Sequence, residues 1–463
     1  MLIYFRLFAL GIIMFSLYNN KNVTPPFYLL TLFYIILVSF QIKYQKYYHN
    51  LPGISVFNIV AFFRYSIVPL AYYLSDDSYF VISSKQSTVY ESIFLMIYEM
   101  LCVYITLLYV SKRKYAFIAQ GEACKKNIKV FKTNIIFVLF TLIIMAITFG
   151  STSIKSGMTA LLSGGVGELY GMDKVENMSF KAMAFRFIWS STIAWIYTYC
   201  IFKLYEVFKK KKSIKIVVYA ILVTLFLIVL TFVNQVGGTL ARWQAIVFGS
   251  AGVFLLLKLF YDSRNLILYS LLIPCALSLC IITIFKNAGY VEGGKSSFQK
   301  AALSVLEPKG LDEYFAGPLG VANGIQFKEK SDMGIKNIFN DFIDNAPIFS
   351  HYFDSNETTS VQYNKNIGTL GSIIPLVTQS SIYFGYFFAP LLSVISIFLI
   401  CFCDSRFNAQ QGYSCYIYAF VSCWFALEAS MLNFTIICSW FYLYIIPMIL
   451  FFVLSKQFVK NIK

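Results

Sequence analysis

Charge is scarce in this sequence. Asp, Glu, Lys and Arg make up 13% of its 463 residues, about half the share of an ordinary soluble domain. That excludes a chain built mainly of soluble globular domains. Histidine occurs twice, at His49 and His351, which excludes a His-rich metal centre. The ten cysteines show no zinc-like spacing, and none falls between 286 and 372. A zinc module and a disulfide framework are therefore not expected. There is no nucleotide-binding glycine loop, Walker motif or Asp-x-Asp metal motif, so no cofactor is expected and any reaction must use an already activated substrate. Acidic residues are the rarer sign, 22 against 38 basic, and the net charge is +16. On a soluble protein that excess would point to nucleic acid. Here the basic residues cluster in short connections between apolar runs, the pattern of a positive-inside bias facing anionic lipid headgroups. No nucleic-acid partner is expected.

What the chain has is apolar surface: 58% of residues are hydrophobic and 19% aromatic. A bilayer core about 30 Å thick needs about 20 apolar residues per helix. Runs of that kind predict helices at about 2–18, 27–42, 54–74, 89–110, 132–150, 183–203, 214–234, 239–260, 265–285, 373–402, 412–430 and 433–454. The expected fold class is all-α: a polytopic membrane protein of about twelve transmembrane helices. It forms one integral membrane domain over 1–463, with a large outer loop at 286–372 between helices 9 and 10. The run at 2–18 has Arg6 near its start and no small-x-small cleavage site, so it reads as a first helix rather than a signal peptide. The last apolar stretch must turn once near 431, where Glu428, Ser430 and Asn433 are the available polar cluster. Glycine-rich 151–182 suits a short interfacial or re-entrant helix. Within the long loop, apolar spacing at Ile335–Ile343 predicts a short helix. No clear repeat relates the two halves.

Orientation follows from Lys and Arg. With both termini cytoplasmic, the inner segments and their flanks hold 22 of these residues and the short outer segments five. The 286–372 loop is then extracytoplasmic.

Ionisable residues inside apolar runs cost several kcal/mol and so ask for a reason. Arg64, Arg186 and Arg242 all fall in the outer half of their helices. Each alone reads most simply as a guanidinium snorkelling to the interface. Three at matching depth suit a shared site for a lipid phosphate or pyrophosphate, because a guanidinium fork matches phosphate oxygens. Glu91 and Glu99, eight residues apart, are expected on one helix face, with Glu99 paired to some partner. Glu206, beside the FKKKK run, reads as a solvated helix end. His351 reads most simply as loop surface, yet its ordinary pKa suits general acid or base work. Glu292, Glu307, Asp312, Glu313, Asp341, Asp344 and Asp354 are alternatives for that role.

The arrangement resembles the bacterial polysaccharide repeat-unit polymerases, the Wzy-type O-antigen or capsule polymerases. The resemblance covers the whole chain as architecture. Locally it rests on FFRYSIVPL around Arg64, GGTLARWQA around Arg242, YFAGPLG at Tyr314–Gly320 and TQSSIYFGYFFAPLLS after the loop. It implies a glycosyltransferase of the bacterial cytoplasmic membrane acting on oligosaccharide carried on undecaprenyl pyrophosphate. Arg64, Arg186, Arg242, Glu91 and Tyr314 would bind substrate. Arg64 and Arg242 would stabilise the leaving pyrophosphate, and His351 or a loop carboxylate would take the acceptor proton. Membrane lipid, a flippase and chain-length regulator proteins would be its partners, with no metal required. A lipid-linked oligosaccharide flippase and a polysaccharide ligase are the alternatives. A membrane acyltransferase would want a membrane-embedded His, and a scaffold would leave the three Arg unexplained.

Overall fold

An apolar run in lipid has no hydrogen-bond partner for its backbone but itself, so it folds as a helix. The computed structural model follows this rule: no strand occurs among the described residues. Those residues are 26–41, 51–74, 86–123, 135–149, 180–233, 242–271, 307–344, 346, 358–367, 373–431 and 433–460. Helix α1 is Tyr28–Gln41. Helix α2 runs from Pro52 to Leu74 through a π-helical turn at Phe63–Ile67. Then come α3 (Gln86–Ala123), α4 (Ile135–Phe149), α5 (Phe180–Lys211), α6 (Ile214–Val233) and α7 (Arg242–Leu259). Helix α8 (Tyr261–Leu271) leaves α7 at a bend of 112°.

The long loop contributes four short helices: α9 (Pro308–Phe315), α10 (Pro318–Lys330), α11 (Lys336–Asp344) and α12 (Thr359–Ile367). Helix α11 falls where the apolar spacing at Ile335–Ile343 predicts a short helix. The chain ends with α13 (Leu376–Phe384), α14 (Leu391–Ala409), α15 (Tyr413–Met431) and α16. Helix α16 starts at Phe434, contains a second π turn at Phe441–Ile445 and continues to Lys460.

Among the described residues five helices are long and apolar enough to cross a membrane, or six if the bent pair counts as one span. Tyr28–Phe40 and Ile136–Ile147 are shorter apolar helices. The expected helix at 2–18, the stretch 151–179 and the end of 265–285 lie outside the described residues. One expectation is corrected. The run 373–402 is not one helix: it breaks at Gly385 (φ +82°), followed by an aromatic turn at Tyr386–Phe388 and Pro390. A positive φ is open to glycine at no steric cost and stops a right-handed helix.

Helix α15 is the centre, with α2, α7 and α14 packed on it. It is apolar nearly all round, and Tyr416, Ala419, Phe420, Cys423, Trp424 and Leu427 are buried. Gly53 lets α2 approach closely, since a Cβ there would lie 2.0 Å from Ser422 Oγ. The periphery is inverted relative to a soluble protein. Ile136, Leu139, Phe140, Ile143 and Ile147 of α4 all face outward, as suits lipid contact.

Two ends of the bundle are chemically distinct. At one, Asp404 accepts from Gly53 N (2.9 Å) and Ile54 N (3.0 Å), capping the start of α2. There Lys258 donates to the carbonyls of Phe407 and Gln410, capping the end of α14. At the other end the loop helices α9–α12 pack down onto α2, α3, α13 and α16.

Candidate functional site

Both π turns have one local cause. Pro69 and Pro447 each lie two residues past the turn. A proline inside a helix removes an N–H and crowds the carbonyl four residues back. One extra residue in the preceding turn relieves the conflict, and Val68 N instead reaches Phe63 O, as Ile446 N reaches Phe441 O. The two segments read FRYSIVP and FYLYIIP, sharing Phe, Ile and Pro at matching positions. Such bulges often mark functional positions, and the first carries Arg64.

Arg64 is fully buried, so it does not snorkel. Its Nη2 lies 2.8 Å from Oε2 of Glu99, itself fully buried on α3. Arg64 Nη1 donates to Glu99 Oε1 and to Ala429 O, both at 3.4 Å, and Nε donates to Ala316 O at 3.1 Å. Glu99 also accepts from Tyr65 OH (3.0 Å) and Ser393 Oγ (2.6 Å). One ion pair thus ties α2, α3, α14, α15 and the long loop. Glu428, one residue before Ala429, is fully buried beside Trp424.

The loop meets this pair through a tight corner. Helix α9 ends at Ala316, held at φ +48° with its carbonyl on Arg64. That conformation is costly for a residue with a Cβ and typifies strained functional turns. Gly317 follows, and a Cβ there would come within 2.6 Å of both Asp312 Oδ2 and Val68 Cγ1. Pro318 then opens α10. Phe315 stacks on Phe63 at 4.8 Å. The motifs FFRYSIVPL and YFAGPLG are thereby in direct contact.

Two loop carboxylates anchor the loop helices α9–α12, here called the lid. Asp312 is buried and accepts from Leu319 N (2.9 Å) and Gly320 N (2.8 Å) at the start of α10. It also takes a hydrogen bond from Tyr72. Burial pushes its carboxyl up to about 7, against the opposing pull of those donors. Asp341 of α11 accepts from Thr359 N (2.8 Å) at the start of α12, from Gln379 Nε2 (3.3 Å) and from Tyr383 OH. Burial raises its pKa too. Gln379 Oε1 accepts from Phe434 N at 2.7 Å. Asn433 caps α16 by accepting from Ile436 N (2.8 Å) and donates to Ser360 Oγ (3.1 Å). The turn expected near 431 is therefore present, with Asn433 as its cap.

The other expected residues divide. Glu91 is exposed while Glu99 is buried, so the two do not share a face. Eight residues make about 800° of helix, leaving the second side chain rotated by about 80°. Tyr314 is half-buried on α9. Glu206 pairs with Lys203 at 3.0 Å. Arg186 lies in the first two turns of α5 and Arg242 opens α7; their side chains, and all of His351, lie outside the described residues. Tyr65, Ser393, Gln379 and Tyr383 were not anticipated. The signal for the last pair was Thr378-Gln379-Ser380-Ser381, four buried polar residues in an apolar run. No family model, curated protein or solved structure matches the chain.

Proposed function

We propose that this chain is a membrane glycosyltransferase that joins oligosaccharide units carried on undecaprenyl pyrophosphate into a surface polysaccharide. In this reading it has about twelve spans, both termini cytoplasmic, and works at the outer face of the bacterial cytoplasmic membrane. The observation that carries it is the meeting of FFRYSIVPL and YFAGPLG, two segments in which the chain resembles Wzy-type polymerases, on one buried guanidinium beneath the polar lid.

The chemistry follows from the residues. An acceptor hydroxyl attacks the anomeric carbon of the lipid-linked chain. The bond from that carbon to the pyrophosphate oxygen breaks, and the pyrophosphate leaves with the electron pair. Arg242 and Arg186 would meet the developing charge. Arg64 is already matched by Glu99, so its role includes holding the lid corner, and it contacts phosphate only by exchanging that partner. The acceptor proton passes to His351 or to a loop carboxylate. Asp312, with its carboxyl near neutrality, has the proton affinity a base needs. Positioned Arg supplies the charge, so the step requires no metal.

Deleting the gene should leave surface glycan as capped single repeat units, and Arg242→Ala should do the same with the protein still inserted. Unchanged chain length in both would sink the reading. Loss of all surface glycan would assign a flippase instead, and accumulated long lipid-linked chains a ligase.

A further inference from the structure

Helix α11 is turned inside out for a lid that faces water. Its sequence, KNIFNDFID, sits in the most polar part of the chain. Of its two acids, Asp341 points into the protein, held by Tyr383, Gln379 and Thr359 N, and Asp344 at its last position is half-buried. Its large apolar side chains point away: Ile335 just before it is 60% exposed, Phe339 68% and Phe342 40%. These three recur at spacings of four and three, so they form one stripe along the helix. Ile338, at the edge of the stripe nearer Asp341, packs inward against the cluster formed by Phe327, Tyr363 and Ile382.

The stripe is not isolated. The Phe342 ring lies 5.3 Å from Tyr442 of α16. Helix α16 is long and apolar enough to cross a membrane, and its outward face carries Phe441, Ile449, Leu450 and Val453. The exposed apolar surface of that span therefore meets α11 through an aromatic contact. Helix α11 packs against Phe434–Trp440, the first turns of α16, and so lies at one end of that candidate span. Lys336, at its first position, is exposed beside the stripe and suits a lipid phosphate.

We propose that α11 is an interfacial helix, with Ile335, Phe339 and Phe342 immersed in the acyl region of the lipid bilayer and Lys336 at the headgroups. Amphipathic helices bind membranes in this way, apolar face down. The lid is then fastened to the lipid surface beside α16. The Asp341–Tyr383–Gln379 network sits at headgroup depth, where a lipid-linked substrate would present its polar part. The inference stands on the placement of α11 and does not depend on the reaction proposed above.

The test is photocrosslinking of the full chain in vesicles of phosphatidylethanolamine and phosphatidylglycerol. Three single variants carry p-benzoylphenylalanine in place of Phe339, Asp332 or Val453. Asp332 is exposed just before α11, and Val453 is exposed within the span. Mass spectrometry after illumination should find phospholipid adducts at 339 and 453 and none at 332. Lipid adducts at 453 alone would overturn the proposal. So would adducts equally frequent at 332, or a crosslink from 339 to a second copy of the chain.

Discussion

Arg64 and Glu99 are both fully buried and fill each other's charge. Removing one partner strands the other, which typically costs about 3–5 kcal/mol, whereas replacing both by apolar residues is often neutral. Arg64→Ala and Glu99→Gln should therefore each lower the thermal midpoint of the detergent-solubilised protein. The pair Arg64→Met with Glu99→Leu should recover most of that loss. If the recovered double variant makes only single-unit glycan, as the proposed function would read it, the pair acts beyond folding. Asp312 gives a pH prediction. Its carboxyl titrates near 7 when folded and near 3.8 when exposed, so between those values the folded state binds the extra proton. Its stabilising contribution is complete below about pH 4 and is lost as pH rises through about 7, by up to about 1.4 kcal/mol per pH unit. Asp312→Asn should flatten the pH dependence of the unfolding midpoint in that window; an unaltered slope would mean that other groups set it. Arg64 and Glu99 were legible in the sequence because charge in an apolar run is conspicuous. Tyr65 and Ser393 were not, because a hydroxyl in a helix barely alters the apolar pattern and its partner is fixed only by packing.

Helix positions were legible wherever an apolar run had polar punctuation. The apolar run predicted at about 214–234 follows the basic Lys209–Lys212, and α6 begins at Ile214. The break at Gly385 was hidden because apolar residues flank it on both sides and the aromatic turn that follows keeps the run apolar. The π turns were hidden too, since one extra residue leaves hydrophobicity unchanged; the shared Phe-x-x-x-Ile-x-Pro pattern is the trace they leave. The corner between α9 and α10 depends on a missing side chain. Gly317→Ala must push both Asp312 and Val68 aside and should cost about 1–3 kcal/mol, as overpacking does. Gly334→Ala, in the same loop with nothing within 4 Å, should stay within about 0.5 kcal/mol. Limited proteolysis of the loop, alongside the unfolding midpoint, would compare them. Equal behaviour of the two variants would show that the corner yields freely.

At the scale of the whole molecule, charge counting set the long loop apart from the basic hairpin between α5 and α6, and the packing keeps them apart. Phe260, at the end of α7, meets Tyr205 and Phe208 of α5. The Lys209–Lys212 hairpin therefore lies at the Lys258–Asp404 end of the bundle. The loop helices lie at the end where Ala429 meets Arg64. Along α15, Cys415 touches Lys258 and Ala429 touches Arg64, and fourteen residues of helix separate those points by about 21 Å. That distance is most of a hydrocarbon core about 30 Å thick, so in a membrane that the bundle crosses the two ends are expected to open to opposite sides. Cysteines placed at Gly334 and at Lys211, both outside the packed core, should never react together with a membrane-impermeant maleimide. In intact spheroplasts, Gly334→Cys should label at once, and Lys211→Cys only after permeabilisation, with the parent chain as the baseline. Labelling of both from outside would break the bundle axis described here. Labelling of Lys211→Cys alone would keep that axis but turn the lid to the cytoplasm, where a polymerase acting at the outer face has no substrate.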